Sequence, residues 1–213
     1  MRERAGYSRA ENLSDAVIHA SGLTLALIAV PALIILTALL RGDLPAMLAI
    51  TVYGLALIAM ILFSALYNLV RAPAWQDLLR RLDHSAIYVK IAGTYTPFTI
   101  LSGHGGWLLA SLWAAALAGI GLKFLWPHRF RAAAIALYLG MGWAGLAAGG
   151  SLLAALPVPV AVLIVIGGLL YTAGVVFYLL ERLPFHYTIW HLFVLAASFV
   201  FYAAVTVSVV DAA

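Results

Sequence analysis

Asp83 and Lys90 are ionisable side chains inside one otherwise apolar stretch, Leu82 to Phe98. A charge in hydrocarbon costs free energy unless it is paired or faces water, so residues of this kind mark function by default. Their spacing is two helical turns, which puts both on one face, roughly 10 Å apart along the axis. That face suits an ion pair helped by water or by distortion at Pro97, or a lysine that faces a hydrated cavity on its own. The pair is the reading carried forward. Other reactive groups recur at four-residue spacing: Glu11, Asp15 and His19; Ser64 and Asn68; Tyr187 and His191. Each set forms a stripe on one helix face. His84 and His186 adjoin them. Carboxylates, imidazoles and a hydroxyl in this pattern could bind a metal, relay protons or hydrolyse a bond. Near an interface the same types serve as hydrated caps, which accounts equally well for Glu11, Asp15, His84 and His186. Asp83, Asn68 and His191 lie deeper and are harder to explain as caps, although an intramembrane His or Asn can also serve simply as a hydrogen bond to a neighbouring helix.

These stripes need helices to position them. Of the 213 residues, 65 % are hydrophobic and 9 % charged, a balance that excludes a soluble domain. Apolar runs near or above the roughly 20 residues that cross a bilayer lie at Ala16 to Leu40, Leu44 to Val70, Leu82 to Leu101, Trp107 to Trp126, Ala132 to Leu156, Val158 to Leu180 and Tyr187 to Val210. The expected architecture is an all-α integral membrane protein, a seven-helix bundle. An N-terminal segment, 1–15, precedes a single transmembrane domain, 16–213. The first apolar run is about twice the length of a signal-peptide core, so it reads as a retained helix. There is no internal repeat.

The net charge of +4 does not point to nucleic acid, because the basic residues sit in short segments between apolar runs. Arg2, Arg4, Arg9, Arg71, Arg80, Arg81, Lys123, Arg129, Arg131 and Arg182 fall on one side and Arg41 alone on the other. The rule that positive loops stay inside places the N-terminus in the cytoplasm and the C-terminus outside. Without cysteine, disulfides and thiolate ligands are excluded, and any metal must sit on His, Asp or Glu. His104 and His128 belong to loops. Trp107, Trp113, Trp126, Trp143 and Tyr202 read as interfacial belts or packing. Gly142, Gly145, Gly149 and Gly150 suit close helix contact around the fifth span. Pro97 is expected to kink the third.

With this orientation, the stripes on spans one, two, three and seven meet at the cytoplasmic ends of the helices, at similar depth. Four stretches there resemble the hemolysin III family, the bacterial branch of the progestin and adipoQ receptor superfamily. They are Glu11 to Gly22 with Glu-x3-Asp-x3-His, Ser64-Ala-Leu-Tyr-Asn68, Leu82-Asp-His-Ser-Ala-Ile-Tyr with Ile-Ala-Gly-Thr-Tyr-Thr-Pro-Phe98, and Ile189-Trp-His-Leu-Phe-Val-Leu195. The resemblance implies a seven-helix bundle in the bacterial cytoplasmic membrane with a cytoplasmic N-terminus. It also implies, from the wider superfamily, a zinc site: Ser-x3-His on the second helix, Asp on the third and His-x3-His on the seventh. Such a site suggests hydrolysis of a lipid amide or ester. Transferred to this chain, Ser64, Asp83 and His191 are the catalytic set, and His191 is the one retained metal ligand.

The other two ligand positions hold Asn68 and Tyr187. Neither a carboxamide nor a phenol is a usual zinc ligand, so the expected zinc site is degenerate. Lys90 also departs from the family, which has an apolar residue there. The ammonium is read as partly replacing the missing cation and balancing Asp83. Asp15, His19, Asn68, Lys90 and Tyr187 complete the expected polar cluster. Three functions follow. The reading carried forward is a lipid-binding, receptor-like or membrane-homeostasis protein whose bundle cavity holds a membrane lipid or fatty acid. The first alternative is a zinc-dependent lipid hydrolase rebuilt on some of Asp15, His19, Asp83, His186 and His191. The second is a proton or ion path, or pore, through Asp83, Lys90 and His191.

Overall fold

The computed structural model describes residues 8–70, 72–127, 129–147 and 150–212. Arg2, Arg4, Arg71, His128 and Gly149 lie outside them. The described chain is all-helical, in the order α1 (Arg9–Leu40), α2 (Leu44–Leu69), α3 (Pro73–Ser102), α4 (Gly106–Leu125), α5 (Arg131–Ala147), α6 (Ser151–Ala155), α7 (Val158–Leu179) and α8 (His186–Asp211). Helices α1, α2, α4, α7 and α8 are long and apolar enough to cross a membrane. The chain is an integral membrane protein.

Local chemistry sets the ends of these helices. Ser8 accepts the Glu11 N–H while the Glu11 carboxylate accepts the Ser8 N–H at 2.7 Å, a capping box that starts α1 ahead of its apolar run. Asp43 accepts the Ala46 N–H at 2.9 Å and starts α2. This N–H, and then Arg41 beside it, holds the Asp43 carboxyl below the usual carboxylate range. Pro73 opens α3, and Gly103 at φ +70° closes it.

Two boundaries differ from the hydropathy reading. Arg80 and Arg81, expected in the loop after the second span, are helical residues of α3, which begins at Pro73. The expected fifth span, Ala132 to Leu156, is divided between α5 and α6, and Gly150 before α6 takes φ +37°. Hydrophobicity reports burial in lipid or protein but not whether the backbone hydrogen-bond ladder is continuous. A glycine at positive φ ends that ladder at no steric cost.

Helix α3 is the hub, packed on α2, α4, α5, α6 and α8. Residues 92–99 are buried without interruption, because their polar side chains satisfy themselves locally. The hydroxyls of Thr94, Thr96 and Thr99 donate to the carbonyls of Lys90, Ala92 and Tyr95 at 2.7–3.0 Å. α3 continues through Pro97, which forgoes one ladder hydrogen bond. Among the described glycines of the fifth span, the expected close approach is made at Gly145. A Cβ there would stand 2.7 Å from the Tyr95 ring, whereas Gly142 and Gly150 face open space. Tyr95 fastens the contact by donating to Gly142 O and accepting from Gly145 N. The expected aromatic belt also divides. Trp113, Trp143 and Tyr202 donate to Thr96, Thr172 and Ala29 and are packing residues, while Trp107 and Trp126 are exposed.

Candidate functional site

Helices α1, α2 and α8 meet at their polar ends and bring three of the stripes into one cluster. Below Glu11 the α1 stripe continues as Asp15 and His19, one turn apart and buried at 6 % and 4 % exposure. On α8, His191 is 7 % exposed and donates from Nδ1 to Asp15 Oδ1 at 2.5 Å. The His19 and His191 rings meet edge to face, with centroids 4.4 Å apart. His19 places Nδ1 2.8 Å from the Asp15 carbonyl oxygen and Nε2 3.1 Å from Ser64 Oγ. Asn68, one turn after Ser64, donates from Nδ2 to Ser64 O at 2.8 Å and to Ser64 Oγ at 3.2 Å.

The protons in this cluster follow from its acceptors. A backbone carbonyl only accepts, so His19 carries its proton on Nδ1. In the neutral ring Nε2 is then a lone pair, and Ser64 Oγ–H donates to it. The Asp15 carboxylate stands 3.6 Å from the same His19 Nδ1.

Several expected site residues have other roles. Glu11 caps α1 and accepts the Phe185 N–H at 2.9 Å, and Ser14 and Thr188 hydroxyls meet at 3.0 Å, so this part of the α1 stripe joins α1 to α8. His186 and Tyr187 stack edge to face, and Tyr187 also meets the His191 ring with centroids 5.6 Å apart. Asp83 and His84 line the neighbouring wall of the same cavity. Asp83 stands outside the buried Asp15, His19 and His191 group.

Lys90 corrects the sequence reading. Its ammonium, 3 % exposed, donates to Thr94 Oγ1 at 2.6 Å and lies 5.2 Å and 5.6 Å from the centroids of the Tyr53 and Phe201 rings. Thr94 is one turn beyond Lys90, whereas Asp83 is two turns before it, so the side chain extends away from the carboxylate. The nearest hydroxyl and two ring faces, all neutral, take the place of the expected ion pair. A relay from Asp83 through Lys90 to His191 has no such hydrogen-bonded chain among the described residues.

The cluster opens on a cavity of about 510 Å³. One wall carries His19, Ser64 and His191. Ile61, Ile91 and Leu139 supply apolar surface, and Lys90 with Tyr171 lies further in. Arg80, Lys123, Arg129 and Arg131 also line it. Hydropathy assigned these four to topology alone. The available signal was Lys123, a charge placed at the end of an apolar run and buried at 6 % exposure.

The residues do not fit zinc in the superfamily manner. Asn68 commits its amide protons to Ser64, and Tyr187 supplies a phenol where an imidazole is required. Asp15, His19 and His191 do each offer a ligand atom within 4.8 Å of the others and could hold a metal ion. What competes with a metal is Ser64, which engages His19 Nε2 at 3.1 Å; the Nδ1 bonds to Asp15 leave the His191 Nε2 face to one side of a cluster already satisfied without an ion. Protein purified without chelator is expected to carry less than about a tenth of an equivalent of zinc by elemental analysis.

Comparison with known proteins agrees with these motifs. The family model for Haemolysin-III related proteins matches residues 7–202. Hemolysin-3 of Bacillus cereus is 42 % identical over 193 residues, covering 88 % of this chain and 87 % of its own. The Hemolysin-3 homolog of Bacillus subtilis (strain 168) is 38 % identical over 193 residues, covering 88 % and 89 %. Monocyte to macrophage differentiation factor of Homo sapiens is 29 % identical over 180 residues, covering 72 % and 67 %. With its polar cluster inside the matched residues, the chain belongs to the haemolysin III family.

Proposed function

We propose that this haemolysin III family protein binds an acyl lipid with an anionic headgroup inside its helical bundle. In this reading it is a multi-pass protein of the bacterial cytoplasmic membrane. Its spans number seven, with α3 and the α5–α6 segment added to the five long apolar helices, and its N-terminus is cytoplasmic. The observation that carries the proposal is the cavity of about 510 Å³, with apolar walls and the basic side chains of Arg80, Lys123, Arg129 and Arg131. A pocket of this size lined mainly by apolar surface suits a small amphiphile, and its basic side chains, which outnumber the lining carboxylates Asp83 and Glu181, favour a phosphate or carboxylate. The degenerate zinc ligands leave binding as the function that every described group can support.

The test is mass spectrometry of lipids released from protein purified in mild detergent. One anionic acyl lipid is expected to be retained above its abundance in the host membrane. Lys123→Gln, which removes the buried charge on the cavity wall, is expected to weaken retention about tenfold, the effect of one charge-assisted hydrogen bond. Retention of lipids in host proportions, unchanged by Lys123→Gln, overturns the reading.

A further inference from the structure

The superfamily's zinc ligands are replaced, yet the groups that remain are arranged for a different chemistry. Ser64 Oγ faces the cavity and donates to His19 Nε2 at 3.1 Å, while the Asp15 carbonyl fixes the His19 tautomer at 2.8 Å. This is the relation of nucleophile, base and orienting group that activates a serine without a metal. Asn68 is beside the hydroxyl, with Nδ2 donating to Ser64 Oγ at 3.2 Å; as Oγ forms its bond to carbon, that proton is released to turn toward the developing carbonyl oxygen. The histidine-to-asparagine change at residue 68 therefore removes a metal ligand and supplies an amide donor beside the hydroxyl.

We propose that Ser64 is the nucleophile, and His19 the general base, of a metal-independent hydrolase acting on acyl esters bound in the cavity. Ser64 Oγ attacks the ester carbonyl carbon as its proton passes to His19 Nε2. The carbonyl oxygen takes up negative charge facing Asn68 Nδ2. Collapse of the adduct breaks the bond to the alcohol, which leaves with the proton from His19. Water then attacks acyl-Ser64 and gives its proton to His19. The acid departs and Ser64 recovers its proton, so ester and water become acid and alcohol. The choice of acyl esters rests on the lipid reading above; the nucleophile itself rests on the three hydrogen bonds.

The experiment treats the full chain in lipid nanodiscs, with EDTA present, with fluorophosphonates carrying a dodecyl or an ethyl group. The adduct is then mapped by peptide mass spectrometry. The dodecyl probe is expected to modify Ser64 and leave the exposed Ser21 and Ser111 untouched. Ser64→Ala abolishes the adduct, and His19→Gln slows it at least about 100-fold while Ser64 stays in place. An adduct absent or on another serine, an equal rate in folded His19→Gln, or a reaction lost in EDTA and restored by zinc each overturns the assignment. The site of modification in the unaltered chain decides the matter even if His19→Gln fails to fold. Retention of an acyl lipid without labelling removes the nucleophile and leaves the cavity reading. Equal labelling by both probes removes the acyl preference and leaves the nucleophile.

Discussion

Asp15→Ala is expected to destabilise the folded protein by about 3–5 kcal/mol, the cost of removing one partner from a buried charged hydrogen bond. The carboxylate accepts from His191 across the α1 and α8 contact at 2.5 Å, and alanine leaves that N–H buried at a site with little access to water. The expected fall in melting temperature is on the order of 10 °C for a chain of this size. Asp15→Asn keeps an oxygen acceptor and is expected to lose much less. The coupling is read from a double-mutant cycle with His191→Ala: once His191 is gone, removing Asp15 costs less by about 1–3 kcal/mol. Thermal unfolding of the four proteins in one detergent measures it. Additive losses would show that the two side chains contribute separately and that the contact does not hold the cluster together.

The cluster illustrates what the sequence made legible. Four-residue spacing put Asp15 and His19 on one face of α1, and Ser64 and Asn68 on one face of α2, because helical periodicity is a local property. The seventh-helix motif supplied His191. Which stripe would meet which depends on helix rotation and packing, and one-dimensional spacing does not encode either. The Ser64 to His19 and His191 to Asp15 contacts therefore emerge only when α1, α2 and α8 are assembled. Asp83 was placed in the inherited site by resemblance, and it lines the cavity beside the buried group.

The all-helical membrane architecture was legible because hydropathy dominates these segments, whereas the division between α5 and α6 was not. An apolar run looks the same whether its ladder continues or stops at Gly150. Helix α3 shows the opposite case. Asp77, Arg80, Arg81, Asp83 and Lys90 reduce its mean hydropathy, yet its C-terminal half is the most continuously buried part of the chain. Protein surrounds it, and its threonine hydroxyls bond to its own turns, so hydropathy understates how deeply it lies.

Lys90→Met is expected to stabilise the ligand-free protein by about 1–3 kcal/mol, the cost of burying a polar group that is incompletely compensated. The ammonium is 3 % exposed and has neutral partners, Thr94 and the Tyr53 and Phe201 rings. Methionine is close in length, has no charge to desolvate and packs well against rings. Thr94 keeps its bond to the Lys90 backbone carbonyl at 2.7 Å, so losing Nζ leaves no orphaned hydroxyl proton. Had Lys90 been paired with Asp83, the sign would reverse, because methionine would leave a half-buried carboxylate without its cation. The cycle with Asp83→Asn separates these cases: additivity within about 0.5 kcal/mol is expected for side chains that share no partner. A destabilised Lys90→Met that Asp83→Asn rescues would restore the ion pair. Stabilisation with additivity would instead assign the cost of Lys90 to its own burial, independent of the Ser64 and His19 cluster. Labelling of Ser64 by the dodecyl probe should then survive Lys90→Met, because the hydrogen bonds that activate Ser64 come from α1 and α2 and none passes through α3.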